Sequence, residues 1–236
     1  MVQIDPVPVP HFSTYVCKLE AALRDAGIPF QIRKVVRKTL PRGKMPALHW
    51  NGRVLTDSQA ILDVLAKERV INRHPDSWLN AESRAAANFF RNTIEHLAYH
   101  LFTHERWIDQ WSLTKETYWP ATSTPWFFRF VIADMFVQPD VVSNLSKITG
   151  CYSNLEREAL VEGVWEDAAA LLGNKKYFLS ETELSSADYS AFGLLFNILA
   201  YKKLNPKSYK AVARHANLVK FVERVKERLY PDVFAK

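Results

Sequence analysis

Two dipeptides, Met45-Pro46 and Asp57-Ser58, carry the strongest chemical signal in the chain. Between them Asn51-Gly52 tolerates the positive φ values of a two-residue hairpin turn, which predicts a strand over Ala47 to Trp50 paired antiparallel with Arg53 to Leu55. Ser58 or Asp57 caps the next helix, which carries Ile61, Leu62 and Leu65 on one face. Pro46 has no backbone donor, so it belongs at a strand's edge or first residue, and a sharp turn into the strand suits a cis bond. A backbone edge at Met45 then lies beside a helix N-terminus at Ser58. Such a pair can dock an extended peptide and its carboxylate.

Other reactive residue types point to packing more than to chemistry. His96, His100 and His104 recur every four residues beside Glu95 and Glu105, a spacing at which histidines can share a metal. Three ligands spread over two turns of one straight helix do not converge, so no metal site is expected. Cys17 and Cys151 make neither a disulfide framework nor a metal cluster, and Cys17, one turn inside a helix beside Val16, reads as a buried, inert thiol. Ser13 has the side chain of a good N-cap for that helix.

These residues need elements to hold them. Val16, Leu19, Ala22, Leu23 and Ala26 recur at helical spacing, Gly27 stops the helix, and Phe30 and Ile32 alternate into a strand. A short strand within residues 1–5 precedes it, curtailed by Pro6, Pro8 and Pro10. From Asn80 onward the pattern is helical, with Ala85, Phe89, Ile94, Leu97 and Leu101 marking a long amphipathic helix. Arg69 to Asp76 reads as a linker and places the boundary near residues 70–79. Ser185 to Asp188 form a capping-box variant, with Leu184 and Tyr189 stapling the approach to an apolar, buried helix over Ala187 to Ala200.

The formal charge of +6 is spread along the chain, and its densest group, Arg33 to Lys44, reads as a solvated face or a rim that draws in a small anion. No nucleic-acid motif is present. The start of the chain lacks a signal-peptide pattern, and the apolar run Trp126 to Val137 is too short to span a bilayer, so a cytoplasmic protein is expected.

Together, the strand-helix half with its Met-Pro and Asp-Ser pairs, the linker and the helical half with an early-capped apolar helix resemble the glutathione transferase superfamily. Ser13 to Glu20, Ile94 to Leu97 with Glu105 to Trp107, and Asn217 to Val219 with Glu227 to Asp232 look like its failed axon connections and metaxin-like branch. The resemblance implies an α/β plus all-α architecture: a thioredoxin-like N-terminal domain, residues 1–70, and an all-helical C-terminal domain, residues 79–236, in a homodimer. It implies glutathione as cosubstrate, with main chain at Met45 beside Lys44 and Pro46 pairing with its cysteinyl part. Asp57 and Ser58 would hold its γ-glutamyl end. Ser13 matches the position where related enzymes carry the Ser or Cys that faces the sulfur, and Tyr15 is the second candidate hydroxyl. Thr14 departs from the proline this branch often carries.

Lowering a thiol's pKa from about 8.5 by about two units corresponds to roughly 2.7 kcal/mol, within reach of a hydroxyl donor and helix-terminus amides. The thiolate would attack a small hydrophobic electrophile lined by Tyr99, Trp107, Trp111, Trp126, Phe127 and Phe130. The alternative is a non-catalytic protein of this fold used for protein interaction. A thiol-disulfide oxidoreductase is disfavoured because the candidate position is serine.

Overall fold

The computed structural model describes residues 10–33, 39–118, 131 and 133–234. The expected strand within residues 1–5 and the aromatic residues Trp126, Phe127 and Phe130 lie outside them. The chain forms two compact units. One comprises Met1–Arg91, Leu172–Asn197 and Lys220–Lys236; the other comprises Asn92–Leu171 and Ile198–Val219.

In the first unit, helix α1 (Thr14–Asp25) buries Cys17, Leu19, Ala21, Ala22 and Leu23, and Gly27 at φ 68° ends it in the left-handed region. Strands β1 (Ala47–Trp50) and β2 (Arg53–Thr56) pair antiparallel, Ala47 opposite Thr56 and Trp50 opposite Arg53. Asn51 (φ 47°) and Gly52 (φ 73°) supply the two positive φ values of the expected turn. Helix α2 (Ser58–Lys67) buries Ile61, Leu62 and Leu65. The Met45–Pro46 bond is cis.

Phe30 and Ile32 are half-buried with Gln31 exposed between them, yet no ladder forms there; the described sheet is two-stranded. Alternation decides which side chains turn inward, whereas a strand also needs a neighbour to take its N–H and C=O groups. Helix α3 (Ala81–Asn92) also departs from the expected stripe. Its buried residue is Ala87, while Ala85 is exposed and Phe89 is 75% exposed. Phe90 instead meets Phe178 with ring centroids 4.4 Å apart.

In the second unit, π-helical turns at Thr93–Ala98 and Glu105–Asp109 flank α4 (Tyr99–His104). The i→i+5 turn at Thr93–Ala98 resets the helical phase, so the buried positions are Ile94, Ala98, Leu101 and Phe102, and Leu97 is only half-buried. Helices α5 (Trp111–Tyr118), α6 (Gln138–Ser146) and α7 (Asn154–Leu172) follow. The Arg106 guanidinium, buried, donates Nε–H to Asn205 Oδ1 at 2.9 Å and lies 4.0 Å from the Phe102 ring centroid. Glu105 accepts from the N–H and hydroxyl of Ser208 at 3.1 and 2.6 Å, capping the first turn of α9 (Pro206–Ala213).

Helix α8 (Ser186–Ala200) places Ala187, Ala191, Phe192, Leu194 and Leu195 in the core. Its capping box forms: Ser185 N–H donates to Asp188 Oδ2 at 2.9 Å and Asp188 N–H donates to Ser185 Oγ at 3.3 Å. A second carboxylate joins it from outside the helix. Asp76 accepts from Ser186 N–H at 2.8 Å and from its hydroxyl at 2.5 Å. Helices α10 (Ala216–Leu229) and α11 (Pro231–Phe234) complete the described chain.

Candidate functional site

The capping geometry of α2 defines the donors left at its N-terminus. Asp57 is the N-cap, and its Oδ1 accepts from Gln59 N–H at 3.0 Å and Ala60 N–H at 3.1 Å. Ile61 N–H is taken by the Asp57 carbonyl at 2.9 Å. The N–H and hydroxyl of Ser58, a buried residue, have no partner among the described residues. An acceptor arriving here would meet those two donors beside an exposed carboxylate. A carboxylate next to an ammonium fits this arrangement better than a lone anion.

Asp57 holds this position at φ 74°, ψ 121°, a conformation that L residues rarely adopt. Strain of this kind, about 1–3 kcal/mol, concentrates at binding and catalytic positions. Pro46 is buried, Met45 half-buried and Lys44 exposed at the approach to β1.

Ser13 is the N-cap of α1 by backbone conformation, but its side chain makes no capping bond. The helix start is held by other contacts instead: Ser13 N–H donates to the imidazole Nδ1 of His11 and the Ser13 carbonyl accepts from Cys17 N–H, both at 2.9 Å. The His11 bond requires an unprotonated Nδ1, consistent with burial lowering this imidazole to about 4. Tyr15 is half-buried. Cys17 is fully buried, and burial pushes its thiol well above the ordinary range.

Lys18 links the two helix starts. It is 1% exposed, and its Nζ donates to Gln59 Oε1 at 3.0 Å, binding the N-terminal half of α1 to the first turn of α2. His11, Lys18 and Gln59 escape a pattern reading because nothing in their spacing announces a buried role. The nearest signal is a lysine beside Cys17 and Leu19 on a helix whose buried face runs through them.

In the second unit Tyr99 and Trp107 are half-buried and Trp111 is buried. The Trp107 and Trp111 rings lie 5.9 Å apart, and Trp111 Nε1–H donates to Asp134 Oδ1 at 2.6 Å, so this indole packs as a satisfied core side chain. Of the three histidines, His100 Nδ1 bonds the His96 carbonyl, and His104 is buried with Nδ1 at 3.0 Å from Thr149 Oγ1. No helix among the described residues is long and apolar enough to cross a membrane.

The glutathione S-transferase N-terminal domain model matches residues 14–111 and the glutathione S-transferase C-terminal domain model matches residues 165–225. The chain belongs to the glutathione transferase superfamily. Its fold is a thioredoxin-like N-terminal domain followed by a helical C-terminal domain.

Solved structures share that fold. A glutathione S-transferase from Methylobacterium radiotolerans, in complex with glutathione sulfonate, is 20% identical, with 92% of this chain and 87% of that chain covered at a TM-score of 0.58. Glutathione transferase F7 from Populus trichocarpa is 14% identical, covering 92% and 91% at 0.58. The beta-etherase LigF from a Sphingobium strain is 16% identical, covering 91% and 95% at 0.56. A fold shared by transferases and a beta-etherase leaves the chemistry of this chain to its own site.

Proposed function

We propose that this protein binds glutathione along the Met45–Pro46 edge and the Asp57–Ser58 helix start, and promotes attack of its thiolate on a small hydrophobic electrophile. The observation that carries the reading is the strained Asp57 cap, which leaves the Ser58 N–H and hydroxyl available beside a carboxylate. The zwitterionic γ-glutamyl end matches it, with its carboxylate on Ser58 and its ammonium facing Asp57. The Met45 main chain takes the cysteinyl part, with Lys44 beside it. Ser13 donates its hydroxyl to the sulfur, a role supported by its not capping α1, and Tyr15 is the alternative donor. Tyr99 and Trp107, half-buried, line the electrophile's side with Trp126, Phe127 and Phe130, and Trp111, expected there from the sequence, backs Trp107 from the core.

On this reading residues 1–70 form the glutathione-binding domain and residues 79–236 the helical domain of a cytoplasmic homodimer. Titration calorimetry with glutathione tests the seat. Wild type takes up the tripeptide, and Asp57→Ala weakens binding by about 1.5–3 kcal/mol through loss of a charge-assisted contact. Equal uptake by both proteins, or by neither, overturns it.

A second reading is a non-catalytic member serving protein interaction, of the failed axon connections or metaxin-like kind. It rests on the resemblance of Ser13 to Glu20 and Glu227 to Asp232 to that branch. Bound glutathione whose thiol pKa stays near 8.5 would favour it.

A further inference from the structure

The first unit contains a polar cavity of about 480 Å³ between α2 and α3, whose wall carries Asp63, Asp76, Arg84 and Arg91 but neither Asp57 nor Ser58. Arg84, Asn88 and Arg91 lie at i, i+4 and i+7 of α3, which sets them along one stripe of the helix.

Each guanidinium is oriented by a single neutral acceptor. Arg84 Nη2 donates to the Leu79 carbonyl at 2.8 Å, and Arg91 Nη2 donates to Asn88 Oδ1 at 3.1 Å. Neither has a carboxylate partner among the described residues, and Arg91 Nε is buried with no hydrogen bond. An arginine fork carries five N–H donors, so most of the donor capacity on this stripe is unused.

The opposing carboxylates are differently placed. Both Asp76 oxygens are committed to Ser186, at 2.8 and 2.5 Å. Asp63 Oδ1 is engaged by His74 Nε2 at 3.0 Å and Gln59 Nε2 at 3.3 Å, and its Oδ2 has no partner. His74 Nδ1 accepts the Asp76 N–H at 3.1 Å, so the ring proton sits on Nε2 and is donated to Asp63. The cavity is thus lined both by cationic donors on α3 and by a carboxylate oxygen on α2 that have no protein partner among the described residues.

A lone anion would be repelled by Asp63 and a lone cation by the arginines. A ligand with both charges matches both walls, and the volume is within the range that takes a small organic molecule. We propose that this cavity is a second binding site, for a small zwitterion of the amino-acid type, its carboxylate on Arg84 and Arg91 and its ammonium on Asp63. The assignment does not rest on the glutathione reading.

Backbone amide chemical shifts are followed while glycine, L-serine and L-glutamate are added separately to the full chain, with N-acetylglycine and inorganic phosphate as single-charge controls. At least one amino acid should shift Asp63, Arg84, Asn88 and Arg91 saturably at millimolar concentration, and both controls should bind at least about tenfold more weakly. Arg91→Gln and Asp63→Asn should each weaken the amino acid by about tenfold or more, with Arg91→Lys intermediate and the rest of the spectrum unchanged. Phosphate binding as tightly as the amino acid, or no saturable shift from any amino acid, overturns the proposal. Amino-acid shifts centred on Asp57 and Ser58 with Arg84 and Arg91 unmoved also overturn it, because the ligand would then sit in the glutathione seat. If Arg91→Gln or Asp63→Asn alters the whole spectrum, the single-charge controls on wild type decide.

Discussion

The main-chain N–H of His11 donates to Glu20 Oε2 across 3.2 Å, and burial displaces the two side chains in opposite directions, the imidazole down to about 4 and the carboxyl up to about 7. His11 lies below its ordinary 6.5, so the stability it contributes is present above that value and is lost as pH falls toward 4. Glu20 lies above its ordinary 4.5, so its contribution is complete below that value and is lost as pH rises toward 7. Each displacement corresponds to roughly 3 kcal/mol, and the slopes oppose each other over nearly the same window.

Removing one partner should therefore uncover the other. Relative to wild type, Glu20→Gln should gain stability as pH rises from 4.5 to 7, and His11→Gln should lose it as pH rises from 4 to 6.5. Asp188, raised by burial to about 6, adds the same slope to all three proteins and cancels in the differences. Urea denaturation in half-unit pH steps measures it, and parallel curves for the three proteins would refute the opposed displacements.

Asp57 separates strain from binding. Asp57→Gly should relieve the φ 74° backbone at a capping cost of only a few tenths of a kcal/mol, leaving the protein about 1–2 kcal/mol more stable. Asp57→Ala keeps the strain, loses the cap and should be destabilised by about 1 kcal/mol. Both should lose glutathione affinity. A glycine variant no more stable than the alanine variant would show that the backbone is relaxed.

Ser13→Ala should raise the pKa of the bound glutathione thiol and lower turnover with a generic electrophile, while glutathione affinity changes little. The thiolate's ultraviolet absorbance against pH reports this directly. Superimposable curves would leave Ser13 as a structural position only, and an effect in Tyr15→Phe instead would move the role to the phenol.

A Cβ on Gly193 would lie 2.4 Å from the Thr14 carbonyl oxygen, so α8 meets the first turn of α1 backbone against backbone. Gly193→Ala should cost about 3 kcal/mol in thermal or chemical unfolding, because the obstacle is main chain and cannot rotate away. A neutral result would mean that α1 moves aside without penalty.

Much of the local architecture was legible in the sequence, because its causes are local. Asn51-Gly52 determined the hairpin, Asp57 the cap of α2, and Ser185 with Asp188 the start of α8. The strand expected at Phe30 and Ile32 failed because pairing depends on a neighbour, and the stripe expected from Ala85 through Leu101 failed because the π-helical turn at Thr93–Ala98 breaks the helical phase partway along it. The polar interior was invisible for a different reason. Lys18 reaches Gln59, Asn197 reaches the His11 carbonyl, and Arg106 reaches Asn205, contacts that join residues with no common pattern.

The bond between Asp76 and Ser186 changes what the stretch from Arg69 to Asp76 is for. A tether can be cut, lengthened or swapped without loss, but this one ends in a carboxylate that completes a helix 110 positions downstream. A fragment ending before Ser186 would strand the Asp76 oxygens, and one beginning after Asp76 would leave the α8 terminus short of an acceptor. Expressed alone, residues 1–79 should be a poor folder, and two pieces supplied separately should regain structure only on mixing.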